Sequence, residues 1–274
     1  MILVTGASGH LASRVLDQLL DQGVPAAGAS RSPSEGERRL DFDYPDSIDL
    51  RGISTLLLVS AGYAEDDVVV ARHERVIEAA VRDGVGHVVY TSLAGAGDHL
   101  AFALAHRVTE RMIRASGLPW TILRNGLYAE LVGSLLTWDD DHLSSAFGDG
   151  AVAAVARDDL AAVAATVAAD PAQHRGRTYE LVGAPFTAAD VAARLGVEHR
   201  SVSLSTDRQR LLAAPGLFPF QPPMLSSIAS SIRHGLLDGR HPDLESLLGR
   251  PTTDPVGAAA TSAPVPAAPA TTKA

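Results

Sequence analysis

The chain has no cysteine, and Lys273 is its single lysine. The first absence removes disulfides, thiolate nucleophiles, zinc–thiolate sites and CxxC redox pairs together, and it leaves folding independent of compartment redox. The second excludes mechanisms built on a lysine amine: Schiff bases, the Walker lysine, and the Tyr-x-x-x-Lys pair of many short-chain dehydrogenases. None of the tyrosines, at 44, 63, 90, 128 and 179, has a lysine four positions later. Alcohol oxidation by that route is therefore not expected, nor is sugar-nucleotide epimerase or dehydratase chemistry of the same type.

Other absences narrow the field further. Acidic residues outnumber basic ones, 32 to 23, for a net charge of −9, and no basic block is long enough to neutralise a run of phosphates. A nucleic-acid partner is not expected. No Gly-x-Ser-x-Gly elbow and no HExxH pair appears, so neither a serine-hydrolase site nor a metal site is expected. No apolar run approaches the ~20 residues that cross a bilayer, and the N-terminus reads directly as a strand without the parts of a signal peptide. The expectation is a cytoplasmic protein without a membrane partner.

What is present is 46% hydrophobic, much of it alanine, which suits small-residue helices packed on a β-branched sheet. "MILVT" (1–5), "VPAAGAS" (24–30), "RRLDFD" (38–43), "STLLLVSA" (54–61), "GHVVYTSL" (86–93) and "PWTILRNG" (119–126) read as strands. Between them, 10–23, 46–51, 66–83 and 100–117 read as helical, with Leu11, Val15, Leu16, Leu19 and Leu20 on one face of the first. Strands alternating with helices imply βαβ units, right-handed crossovers and a doubly wound parallel α/β sheet. Residues 1–126 form that core. Residues 127–250 form a smaller α/β substrate-side region interleaved with it: a strand then a helix in 148–171, a strand at 177–183, a capped helix at 187–196, a strand at 197–205, and short helices at 206–214 and 224–248. The last stretch, 251–274, holds five prolines and no aromatic, and is expected to be disordered.

"VTGASGHLA" (4–12) sets Gly6, Gly9 and Ala12 three apart between a strand and an amphipathic helix. Gly6 suits a tight turn, Gly9 lets a diphosphate approach the backbone, and Ala12 packs helix on strand. The helix N-terminus offers unpaired N–H groups to phosphate. Where coenzymes without a 2′-phosphate usually meet an acid at the end of the second strand, this chain has Ser30 and Arg31. A guanidinium is shaped to grip a 2′-phosphate, so NADPH is favoured over NADH, with Arg38 and Arg39 close enough in sequence to share the task.

A reductase without lysine remains chemically sound when its acceptor needs little proton assistance. Hydride addition to a quinone leaves an anion delocalised into the ring, which solvent protonates afterwards. Catalysis then consists mainly of holding the reacting atoms ~3–3.5 Å apart in a site that excludes water.

The segments "MILVTGASGHLA", "ISTLLLVSA", "ARHERVIEAA", "GVGHVVYTSL", "WTILRNGLYAE", "GDGAVAAVARDDLA", "TYELVG" and "GRPTT" resemble, in order and spacing, the NmrA-like atypical short-chain dehydrogenases, closest to type 2 NAD(P)H:quinone oxidoreductases. The resemblance spans roughly 1–253 and implies a Rossmann core, preference for NADPH, and direct hydride transfer to quinones in a cleft. Some members only bind the dinucleotide and act as redox sensors through a protein partner, which is the alternative reading here. By position, the resemblance assigns Thr5, Gly6, Ala7, Ser8, Gly9, His10 and Leu11 to the diphosphate turn, and Arg31 to the 2′-phosphate. It places Asp43 near adenine. Ser60, Ala61, Thr91, Ser92 and Leu93 fall along the ribose and nicotinamide, and Tyr63, Asn125 and Tyr128 face the acceptor. Where the family carries Glu-His and then a lysine, this chain has Ala105, His106 and Arg111. That leaves His106 as the candidate proton donor, or else as a packing residue. Asn125 can hold a ligand or cap its loop, and the two tyrosines can stack on a flat acceptor or fill core. Self-association as a homodimer and the physiological acceptor are left open.

Overall fold

The computed structural model describes residues 1–60 and 64–264. β1 (Ile2–Thr5) turns into α1 (His10–Asp21), followed by β2 (Ala26–Ser30) and the two-residue β3 (Arg38–Arg39). β4 (Thr55–Val59), α2 (Asp66–Asp83), β5 (His87–Leu93), α3 (Ala103–Ala115) and β6 (Trp120–Asn125) continue the alternation. Next come α4 (Ala129–Ser134), β7 (Thr137–Asp139), β8 (His142–Ser145), β9 (Ala151–Val152), α5 (Arg157–Ala169) and β10 (Arg177–Leu181). The chain closes with β11 (Phe186–Thr187), α6 (Ala188–Arg194), β12 (His199–Ser201), α7 (Leu204–Ala213), α8 (Gln221–Arg233), α9 (Asp243–Leu248) and α10 (Pro255–Ser262).

Seven strands form one parallel sheet in the order β10-β6-β5-β4-β1-β2-β3, a Rossmann-like doubly wound arrangement. Its strands are near-continuous apolar runs because both faces are covered. Val4, Leu57, Val89 and Leu123 pack under α1 and α5, while Leu3, Leu56, Leu58, Val88 and Tyr90 pack under α2 and α3. Alternation along each strand produces this division, and each large aliphatic side chain so buried contributes about 1.5–3 kcal/mol. α5 is buried almost all round, from Leu160 to Ala168, and its alanines let it lie close against α1. The order reverses at β1, which pairs with β2 on one side and β4 on the other. In such sheets the crevice at that reversal receives ligands at the carboxyl ends of the strands.

A third core, with Leu136, Leu143, Phe147, Phe186, Val191 and Ile232, lies beneath the later elements, where β12, β8 and β7 form a small sheet. Several expected elements differ. The 46–51 helix is only a 3₁₀ turn at Pro45–Ser47, and the 38–43 strand stops at Arg39 because Ser47 Oγ takes the Asp41 N–H at 2.9 Å, starting a turn. The 197–205 strand ends at Ser201, since Ser203 caps α7 by accepting the Thr206 N–H at 3.0 Å. The Thr187–Asp190 capping box of α6 is formed.

The stretch from 251, expected to be disordered, is corrected up to residue 264. α10 starts at the Asp254 cap, and its Ala259 is fully buried against α4. A Cβ on Gly133 of α4 would fall 2.0 Å from the Ala259 carbonyl oxygen, so the missing side chain is what lets the two helices touch. Proline content misleads here because Pro255 sits in the first helical turn, where its missing N–H costs nothing. No helix among the described residues is long and apolar enough to cross a membrane.

Candidate active site

The turn between β1 and α1 is built for an anion. Gly6 has φ +67°, Gly9 N donates to Gly6 O at 2.8 Å, and Ala7 N donates to Ala29 O at 3.1 Å. α1 begins at Gly9 with no side-chain cap and no acidic residue in its first turn, so its leading N–H groups face no carboxylate of their own helix. A Cβ on Gly9 would crowd Gly6 O at 3.1 Å. Bare amides, a positive dipole end and a close-approach glycine fit a diphosphate. Ser8 and His10 are exposed beside it, whereas Ala7 and Leu11 are buried supports. Thr5 is also fully buried, and its Oγ1 accepts the Val59 N–H at 3.0 Å, locking β1 to β4 under the turn.

Arg31 follows β2, exposed, and makes no hydrogen bond or ion pair among the described residues. Arg38 and Arg39 follow on β3. On the α1 side of β2 lies Glu37, which sequence reasoning did not single out: its Oε2 accepts from Ser30 Oγ at 3.3 Å and from Ser34 N at 3.0 Å. Its other oxygen lies 3.2 Å from where a Cβ on Gly28 would be, a point only 2.7 Å from the Ala7 methyl. The signal for that contact was the lone glycine in "AAGAS", since a side chain at 28 would strike the phosphate turn.

Asp43, expected near adenine, has both oxygens taken by Arg72 at 2.7 and 2.6 Å, with Arg75 at 3.9 Å. The Arg72 hydrogen bonds hold its carboxyl below the ordinary range. It therefore ties the loop after β3 to α2.

At the ends of β4, β5 and β6 the side chains divide between the two sheet faces. Ser60 N donates to Thr91 Oγ1 at 3.2 Å, and Thr91 shares its face with Asn125. Ser92, expected to line the nicotinamide, turns the other way: its Oγ donates to Glu110 of α3 at 2.7 Å. Glu110 also receives Arg107 and two bonds from Arg124, all at 2.8 Å. Arg107 goes on to donate to Leu93 O and Ala94 O, at 2.9 and 3.2 Å. Arg124 goes on to Glu180, whose Oε2 accepts the Gly95 N–H at 2.8 Å. The loop after β5 is thus pinned from behind by a charged cluster, which nothing in a linear motif announces.

His106 also sits on that rear face. Its Nδ1 lies 2.9 Å from the Tyr90 hydroxyl, and burial, aided by Arg107, drops its pKa to about 4. At neutral pH the ring is uncharged and carries no imidazolium proton to give. Its engagement with the Tyr90 hydroxyl fits the packing reading of His106.

In front of the pinned loop is a narrow apolar crevice of about 20 Å³ lined by Leu93, Ala94, Gly97, Leu100, Gly126, Leu127, Val152 and Leu237. None of its walls titrates. A second cavity of about 250 Å³ shares Val182 with it and is lined by Arg240, His241, Glu245 and Thr252. Asn125, at the end of β6, is 5% exposed, and its Oδ1 has no hydrogen-bond partner among the described residues. An orphaned buried acceptor costs about 1–3 kcal/mol, a cost that a ligand N–H or O–H would remove. Tyr128 caps α4 with Arg157 over its ring at 4.8 Å. Ala61 and Tyr63 lie outside the described residues. Among those described, no group of three or more His, Asp and Glu is placed to hold a metal.

A family model described as NAD(P)H-binding matches residues 6–171. Quinone oxidoreductase 2 of Escherichia coli K12 is 34% identical over 278 aligned residues, which cover 92% of this chain and 95% of that protein. Among solved structures, the NADPH complex of the E. coli quinone oxidoreductase QOR2 matches with TM-score 0.82 at 29% identity, over 95% of this chain and 99% of that one. Citrobacter sp. triphenylmethane reductase with NADP(H) matches with TM-score 0.84 at 28% identity, over the same shares of the two chains.

Proposed function

Since the chain belongs to the NAD(P)H-binding, NmrA-like family of reductases, we propose that this NADPH-dependent oxidoreductase passes hydride directly to a quinone or a similar conjugated carbonyl acceptor. The observation that carries the reading is a bare anion-binding turn at one end of the crevice and, at the other, an apolar cavity whose walls hold no acid or base.

Bound NADPH supplies a hydride from C4 of its nicotinamide. The Gly6–Gly9 turn and the first N–H groups of α1 take the diphosphate, and Arg31, which is exposed and makes no hydrogen bond or ion pair among the described residues, takes the 2′-phosphate. Ser60, Thr91 and Leu93 border the ribose and nicotinamide. Asn125 Oδ1 receives an N–H or O–H of the bound pair and fixes its orientation. Leu93, Leu100, Leu127 and Leu237 supply the apolar wall against which a flat ring packs, and they keep water from it. Tyr128, stiffened by Arg157, closes the side toward α4.

The pinned Leu93–Gly97 loop keeps that wall from yielding, so distance and orientation do the catalytic work. With no titrating wall, the proton on the reduced oxygen comes from water. Quinones suit this because the anion formed is stabilised by its own ring. The acceptors named for the two relatives, a quinone and a triphenylmethane dye, share extended conjugation.

The test is absorbance at 340 nm with NADPH, then NADH, with and without 1,4-benzoquinone. Acceptor-dependent loss that is faster with NADPH is expected. Background rates across a panel of quinones and conjugated enones would sink the proposal, and tight NADP⁺ binding without turnover would leave the sensor reading in its place.

A further inference from the structure

We propose that Glu37 is a determinant of coenzyme choice, placed so that it favours the unphosphorylated coenzyme and opposes Arg31. This rests on the dinucleotide reading of the Gly6–Gly9 turn.

In doubly wound folds the adenosine ribose lies between the glycine turn and the end of the second strand. An acid there accepts from the 2′-hydroxyl, and its charge repels a 2′-phosphate. By sequence that position belongs to Ser30 and Arg31, and no acid stands on the strand. In space, one stands there all the same. The chain leaves β2, turns through Ser34, and returns as β3 beside β2, pairing Ala29 with Arg38 and Ser30 with Arg39. This return brings Glu37 back over the strand it left.

Three observations define the place of the carboxylate. Ser30 Oγ and Ser34 N both donate to Oε2, at 3.3 and 3.0 Å. Gly28 has no side chain, and Oε1 sits 3.2 Å from where one would begin. The Ala7 methyl of the phosphate turn lies 2.7 Å from the same point. The acid thus lies beside Gly28 on the face of β2 that meets the diphosphate turn, reached from seven residues downstream of Ser30 instead of from the strand itself. Oε1 takes no hydrogen bond among the described residues, so it is the oxygen a ribose hydroxyl would meet. Arg31, exposed and without an ion pair among the described residues, can swing to a 2′-phosphate from the solvent side. Opposite charges on the two sides of one ribose predict a chain that takes both coenzymes, with Arg31 raising the affinity for NADP(H) and Glu37 limiting it.

The experiment is calorimetric titration of the full chain with NADP⁺ and with NAD⁺, which needs no turnover. For the wild type, discrimination between the two below about tenfold is expected from opposed single charges of this exposure. Glu37→Gln keeps the shape and removes the charge. It should tighten NADP⁺ and weaken NAD⁺, moving the ratio of the two Kd values by about five- to tenfold. An unchanged ratio in a folded Glu37→Gln protein overturns the assignment, as does a wild type that prefers NADP⁺ by more than about a hundredfold. A wild type that binds neither nucleotide refutes the coenzyme reading instead, so the two failures are distinguishable.

Discussion

Arg124 clasps Glu110 with two N–H···O bonds of 2.8 Å each, in a place where the Glu110 side chain keeps only 1% of its exposure. Burial pushes this carboxyl up, but hydrogen bonds from Arg124 and Ser92 and the charges of Arg124 and Arg107 outweigh it and hold the group at about 2. Glu110→Gln leaves Arg124 with only Glu180 and Arg107 with only the exposed Asp98 as counter-charge, and should cost about 3 kcal/mol. Chemical denaturation at pH 7 measures it. Because the folded value lies below the ordinary 4.5, the contribution is complete above that pH and is lost as pH falls toward 2. The gap between wild type and variant should close over that window, and a gap that stays constant would mean the charge is not what stabilises.

The histidines act at higher pH. Burial lowers His87 to about 4 and His106 to about 4, against an ordinary 6.5. The unfolded chain takes up protons near 6.5 that the folded one refuses until about 4, so stability is complete above the first value and declines between them. Urea midpoints at pH 7, 5.5 and 4.5 should fall in that order. His87→Gln, which keeps a partner for Thr121 Oγ1, should flatten the decline, and an unaltered slope would remove His87 from the account.

Most of what was legible in the sequence was periodic or local. Apolar runs such as Leu56–Leu58 and Val88–Val89 announce strands covered on both faces. Gly6 and Gly9 announce the turn because their spacing is set by the backbone alone. Ser92 and Asp43 were harder. Their positions in the motif are as expected, yet their side chains answer to Glu110 and Arg72, partners 18 and 29 residues away. Glu37 was illegible for the same reason, since its place depends on how the loop after β2 returns. The α10 helix was misread because composition weighs proline without regard to its position in a turn.

Gly133 offers a test of that misread segment. A Cβ there would overlap the Ala259 carbonyl oxygen, so Gly133→Ala should cost about 1–3 kcal/mol by forcing α10 away from α4. In a chain ending at residue 254 the same change should be neutral or slightly stabilising, because alanine is the better helix former. Additive effects of the two changes in a double-mutant cycle would mean that α10 and α4 do not depend on this contact.

Asn125 separates stability from function most sharply. Its Oδ1 is buried without a partner among the described residues, so the residue is a burden on the fold. Asn125→Leu removes the unpaired acceptor at similar volume and should leave stability unchanged or raise it by up to about 1 kcal/mol. The same change should lower kcat with NADPH and 1,4-benzoquinone by about tenfold, because a ligand hydrogen bond worth about 1.4 kcal/mol is lost where orientation matters. Thermal melting of the free protein and initial rates, taken on one preparation, read both quantities. A variant less stable than wild type but equally active would mean that Asn125 serves the loop between β6 and α4, and that the oxygen finds its partner in water.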